Sequence, residues 1–147
     1  MEKKADLINF SINRIETKQF AILEEFFIED KGINLVTAVT FGSNKDLEIV
    51  GVWCTFKFEI EDKPFLLVEV ACDFKINTDA WKSFLQEDHS GIIFPKGLMT
   101  HLTTLVVGTT RGVLHTKTEN SKFNHFIIPP INVTELVTDD VVVKFEQ

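Results

Sequence analysis

Between Val50 and Ile60 every even position is apolar: Val50, Val52, Cys54, Phe56, Phe58 and Ile60. Trp53, Thr55, Lys57 and Glu59 fall between them, a period of two that predicts a half-buried strand. Leu66, Val68, Val70, Cys72, Phe74 and Ile76 repeat the pattern, with Leu67, Glu69, Asp73 and Lys75 on the other side. Asp62-Lys63-Pro64 separates the runs, so they read as one long hairpin. The two apolar sets share a face only if the register keeps parity. A three-residue loop does so and would set Cys54 opposite Cys72, both expected as free thiols. On the outward side the same parity places Trp53, Phe65 and Leu67, large apolar residues that suit covering a neighbouring element or subunit.

Two further strands precede the hairpin. Phe10 to Leu23 is strand-like, with its alternation shifting between Ile12 and Ile15, the mark of a bulge. Ile33, Leu35, Thr37, Val39 and Phe41 alternate up to the turn signal Gly42-Ser43-Asn44-Lys45-Asp46. Four strands in succession predict an antiparallel sheet. After Asn77 the period changes. Asn77 or Thr78 can cap a short helix carrying Trp81, Phe84 and Leu85, and Ser90-Gly91 breaks it. Pro95 suits the first turn of a longer helix to Arg111, with an apolar stripe at Leu98, Leu102, Leu105 and Val106. Its second face, Thr100, Thr103, Thr104, Gly108 and Thr109, is small enough either for solvent or for the close approach of another helix. Thr116 to Lys122 reads as loop, and Pro129-Pro130 excludes regular structure. Beyond Val133 the pattern fits helix and strand equally. The 147 residues make one α+β domain, 1–147, a four-stranded antiparallel sheet followed by a short and a long helix.

Composition narrows the function by exclusion. A net charge of -7 argues against nucleic acid, which needs a Lys/Arg surface to displace counterions. No run approaches the roughly 20 apolar residues of a membrane span. Met1-Glu2-Lys3-Lys4-Ala5-Asp6 lacks a leader pattern, so a cytoplasmic protein is expected. His89, His101, His115 and His125 have no metal-ligand spacing. Gly108-Thr109-Thr110-Arg111-Gly112 lacks the lysine and the preceding strand of a phosphate loop. The acids Glu24, Glu25, Glu29, Asp30, Asp139 and Asp140 read as solvated turns. No catalytic residue, metal or cofactor is indicated, and no enzyme is expected. Fourteen phenylalanines without a tyrosine instead favour core packing or greasy contact surfaces. Glu24-Glu25-Phe26-Phe27-Ile28-Glu29-Asp30 sets three of the large apolar residues between acids, either tucked into the core or exposed as a partner site.

Three segments read together resemble a known family. Phe10-Ser11-Ile12-Asn13-Arg14-Ile15-Glu16-Thr17-Lys18, then Phe94-Pro95 at a helix start and Arg111-Gly112, then Pro130-Ile131-Asn132, are similar to the SecB protein-export chaperones. The match can be followed from about Phe10 to about Leu136. The resemblance implies a homotetramer, a dimer of dimers whose sheets join in pairs and whose helices lie between the pairs. It implies an ATP-independent holdase for unfolded or extended polypeptides, in the setting of protein export. Phe26, Phe27 and Ile28 would contact client, together with Trp81 and Phe84 of the short helix. Leu67 and Glu69 match outward positions that contact the translocation motor SecA, and Glu24 lies next to another. Gln19 and Leu23 stand where the family carries acids, and the acidic C-terminal extension is missing, so a dedicated chaperone for an antitoxin is an alternative. A carrier of a small apolar ligand, its Phe-rich sheet enclosing a pocket, is the rival from outside the family.

Overall fold

A computed structural model describes residues 8–146. The N-terminal reading of Met1 to Asp6 lies outside them. Strands β1 (Phe10–Ile22), β2 (Asn34–Asn44), β3 (Ile49–Ile60) and β4 (Lys63–Ile76) form one antiparallel sheet in the order β1-β4-β3-β2. β2, β3 and β4 are a meander. The chain between β1 and β2 crosses from one edge of the sheet to the other, which gives a Greek-key order. Helix α1 (Thr78–Phe84), strand β5 (Gly91–Phe94), helix α2 (Lys96–Lys117) and strand β6 (Val141–Lys144) follow, β6 pairing with β5 in a separate ribbon. The molecule is thus α+β, with α2 lying over β3 and β4.

The hairpin is present, but its register corrects the expected one. The turn is two residues, Glu61 and Asp62, both with positive φ (52° and 64°), as the twist of flanking strands prefers. A two-residue turn alone would set the two apolar runs on opposite faces. Phe65 is the extra residue that restores parity: Glu59 pairs with Pro64 and Phe58 with Leu66, leaving Phe65 as a bulge. Cys54 consequently pairs with Val70 and Cys72 with Val52, so the cysteines are diagonal neighbours and not opposite. Phe65, expected outward, is fully buried. Val50, Val52, Cys54, Phe56, Val68, Val70 and Phe74 reach zero exposure beneath α2.

In β1 the expected bulge is found at Asn13, and a second occurs at Lys18. Together they keep Ile12, Ile15, Phe20 and Ile22 on the helix side, yet Ile12 and Ile15 lie beyond the reach of α2 and stay exposed. The long helix runs on past Arg111 to Lys117. Leu98, Leu102, Val106, Thr110, Leu114 and Thr118 recur every fourth residue and are all buried, so the stripe continues through Gly112 despite its low helix propensity. Thr110 and Thr118 satisfy their hydroxyls on the carbonyls of Val106 and Leu114, at 2.7 and 2.8 Å. Buried Thr103 finds no such partner among the described residues.

Two side chains take unexpected roles at helix ends. Asn77 precedes α1 as expected, but its Oδ1 accepts from the backbone N of Asn9 (2.9 Å) and not from the helix. Asp140, read as a solvated acid, accepts from the backbone N of Lys96 at 2.8 Å and so caps the start of α2 from 44 residues away. The Pro-Pro segment is held by Arg111, whose guanidinium donates to the carbonyls of Ile128 (2.6 Å) and Pro129 (2.9 Å). The C-terminal tail, open between helix and strand in the sequence, holds both a short 3-10 turn, Val133–Glu135, and strand β6.

Candidate functional site

At the end of the sheet where β3 turns into β4, two loops meet over the helix-side face. The first leaves β1 through the short 3-10 turn Glu24–Phe26 and leads to β2. The second follows α2, from Thr118 to Ile128. Each contributes rings. Phe27 of the first packs on Phe65 (centroids 5.2 Å), Phe123 (5.3 Å) and Phe126 (6.0 Å). Phe65 and Phe58 lie beneath Phe126 at 5.1 and 5.8 Å. Edge-to-face and tilted pairs of this kind add to plain area burial. Phe65 and Phe123 are buried, Phe27 and Phe126 half-buried.

Around this five-ring cluster the surface is open, with exposed isoleucines set among charged side chains that include Glu29, Asp30, Lys31 and Lys122. Ile28, Ile33 and Ile127 are 42%, 41% and 59% exposed, far above what single core residues would show. A cavity of about 370 Å³ lies between the loops, with Phe27, Ile28, Lys31, Lys122, His125 and Phe126 in its walls. Lys122 spans the two loops: its ammonium pairs with the Glu24 carboxylate at 2.6 Å and sits over the rings of Phe27 and Phe123 at 5.5 and 5.3 Å. Phe26 is half-buried with Lys63 above its ring at 5.6 Å.

The sequence-assigned residues therefore separate into three places. Phe26, Phe27 and Ile28 meet in the cluster and its rim, partly tucked in and partly exposed. Trp81 and Phe84 lie at the other end of β4, which at about 3.3 Å per residue is ~40 Å away. Trp81 is buried against Phe94 (5.7 Å), so it presents no ring to a client in this fold, while Phe84 is half-buried on the same residue. Leu67 and Glu69 lie half-exposed on the outer face, where Thr55 donates a hydrogen bond to Glu69. Glu24 is committed to Lys122 at the rim of the ring cluster and does not join them.

Sequence reasoning missed Phe123, Phe126 and Ile127. They stand between the polar loop Thr116 to Lys122 and Pro129-Pro130, without periodicity; their signal was two rings three residues apart and the short apolar run Phe126-Ile127-Ile128. Trp53 does face outward, half-buried, its indole lying across Gly51 and Gly42. A Cβ at Gly51 would come within 2.8 Å of that ring, so the glycine is what lets the indole lie flat. The cavity beside it, about 410 Å³, mixes Arg14, Lys18, Glu16 and Asp73. Glu16 already holds both cations, and Lys18 in hydrogen bonding to it pulls its carboxyl below the ordinary value.

Neither cysteine is an activated nucleophile. Burial, helped by the neighbouring Cys72, pushes the Cys54 thiol up to about 12, and burial with the Asp73 charge raises Cys72 as well. Among the described residues no three His, Cys, Asp or Glu side chains converge as a metal-ligand set. No helix among them is long and apolar enough to cross a membrane. No protein-family model matches the chain, and no curated protein matches it.

Proposed function

We propose that this protein is an ATP-independent holdase that captures unfolded or extended polypeptides on the aromatic cluster between its two loops, as its resemblance to the SecB chaperones implies. The observation that carries the reading is the coincidence of five packed phenylalanines with three exposed isoleucines at one end of the sheet. Apolar side chains of a client gain roughly 25 cal/mol per Å² buried there, without any need for a fixed sequence. The motor-contact assignment of Leu67 and Glu69 is compatible with their place on the outer face. Loss of the family's acids at Gln19 and Leu23 leaves a dedicated client, such as an antitoxin, as the variant of the same reading.

The holdase acts as an oligomer. The outer ridge of α2 is Thr100, Thr104, Gly108, Gly112 and Thr116 at four-residue spacing, and a Cβ at either glycine would meet open space. Such a ridge lets the helix of a second copy approach closely. The carrier reading loses ground on packing: Phe56, Phe74 and Met99 fill the space between sheet and helix to zero exposure.

The test is whether a stoichiometric amount of the protein, without ATP, delays refolding of a slow-folding denatured precursor. A delay that disappears in Ile28→Ser plus Ile127→Ser supports the assignment. Unaltered refolding in the presence of the wild-type protein would remove it.

A further inference from the structure

The two loops that cover the ring cluster are each held together internally. In the first, Phe26 donates to the carbonyl of Leu23 and Phe27 to that of Glu24, while Leu23 anchors the start of the loop to β4 by donating to Phe65. In the second, Ser121 donates to Thr118, Asn124 to Ser121 and Phe126 to Phe123. No hydrogen bond among the described residues joins one loop to the other. What crosses between them is side chain alone: the ring contacts of Phe27 with Phe123 and Phe126, and the Glu24–Lys122 pair. The loops can therefore part as two intact jaws, exposing the rings without breaking a backbone hydrogen bond.

We propose that the Glu24–Lys122 ion pair is a latch that holds these jaws closed over the aromatic cluster, so that charge and ionic strength set how much of the cluster is open. The inference rests on the reading of the cluster as the client site. The latch is suited to the task by its place and its modest strength. Both partners are more than half exposed, which leaves the attraction weak and open to screening by salt. Lys122 adds its contacts with Phe27 and Phe123, one ring from each jaw, so a single ammonium binds both sides of the seam. An incoming apolar segment replaces the contacts between rings, and among the described residues the latch is the only charged tie between the jaws. A weak tie biases the closed state without forbidding the open one.

The test compares binding of Nile red, a neutral apolar dye, to the wild-type protein, Glu24→Gln, Lys122→Gln and the swap Glu24→Lys plus Lys122→Glu at low salt. Circular dichroism and melting check that each is folded. Opening the latch should raise dye binding about two- to fivefold in both single variants, the range expected for one exposed ion pair. The swap should return it toward the wild type. Raising the salt should bring the wild type toward the single variants and leave those unchanged. Equal dye binding in the wild type and the variants would overturn the latch, as would a swap no better than the singles. If dye binding rises while the refolding delay of a denatured precursor stays the same, the latch stands and the holdase reading falls. Should a variant fail to fold, the salt titration of the wild type decides alone: a flat response overturns the proposal.

Discussion

Thr103 is a hydroxyl buried to zero exposure with no partner among the described residues, whereas Thr100, Thr104, Thr109 and Thr110 bond theirs to helix carbonyls. Replacing it with the isosteric valine removes an unmet polar group, so Thr103→Val should stabilise the fold by about 1 kcal/mol, read from the urea midpoint. Thr110→Val, where the hydroxyl is bonded, should give no such gain. Cys54 offers a second residue-scale test. Its thiol ordinarily titrates near 9 and in the fold near 12. Below pH 9 both folded and unfolded chains hold the proton; above it the unfolded chain releases it first, and stability falls as pH rises from 9 toward 12. The slope is at most about 1.4 kcal/mol per pH unit. Urea melts at pH 8 and pH 10.5 should show this loss, and Cys54→Ala should lose less. At the rim of the cluster, Ile28→Ser should shift stability by within about 0.5 kcal/mol. Phe27→Ser, which removes a ring packed on three others, should destabilise by about 2–3 kcal/mol. Comparable losses for the two would mean that the whole loop is core.

At the scale of elements, the β5–β6 ribbon depends on close backbone approach. A Cβ at Gly91 would lie 2.5 Å from the carbonyl oxygen of Val143, so Gly91→Ala should detach β6 and with it the Asp140 cap of α2. Limited proteolysis should then cut near Thr138–Asp139, while in the wild type this segment resists. Asp140→Ala, which keeps the ribbon but removes the cap, should cost about 1 kcal/mol. These elements also show what the sequence could and could not reveal. The strands were legible because a sheet with one face under a helix imposes strict alternation, and the bulge in β1 was visible as a slip in that alternation. The bulge at Phe65 was not, because a turn and a compensating extra residue leave the overall pattern unbroken. Parity demanded an odd loop or a bulge, and the sequence does not distinguish them. Helix α2 looked shorter than it is because Gly108 and Gly112 resemble a stop signal, whereas Leu114 beyond them is held by tertiary packing. The site was half legible: the Phe26-Phe27-Ile28 loop drew notice by its acids, but its partners Phe65, Phe123 and Phe126 come together only through the fold.

For the whole molecule, the oligomer we propose would form along the outer ridge of α2. Gly108→Glu places a charge where the ridge is smooth, and light scattering should show a lower mass than the wild type at equal concentration, with the melting temperature little changed. An equal mass would move the contact elsewhere, for example to the free edge of β1 or of β2. The order of the strands has a different consequence, in time and not in space. β1 is made first, yet it pairs along its whole length with β4, Phe10 with Ile76 and Ile22 with Leu66, so it has no partner until the last strand of the sheet has been synthesised. The β2–β3–β4 meander closes through short local links and can form without it, whereas β1 must bridge a long chain separation, which slows its docking. A nascent chain of this protein thus carries its own Ile12, Ile15 and Phe20 unpaired until about half of it has been made, and is itself, until β4 arrives, the kind of extended apolar segment that a holdase binds.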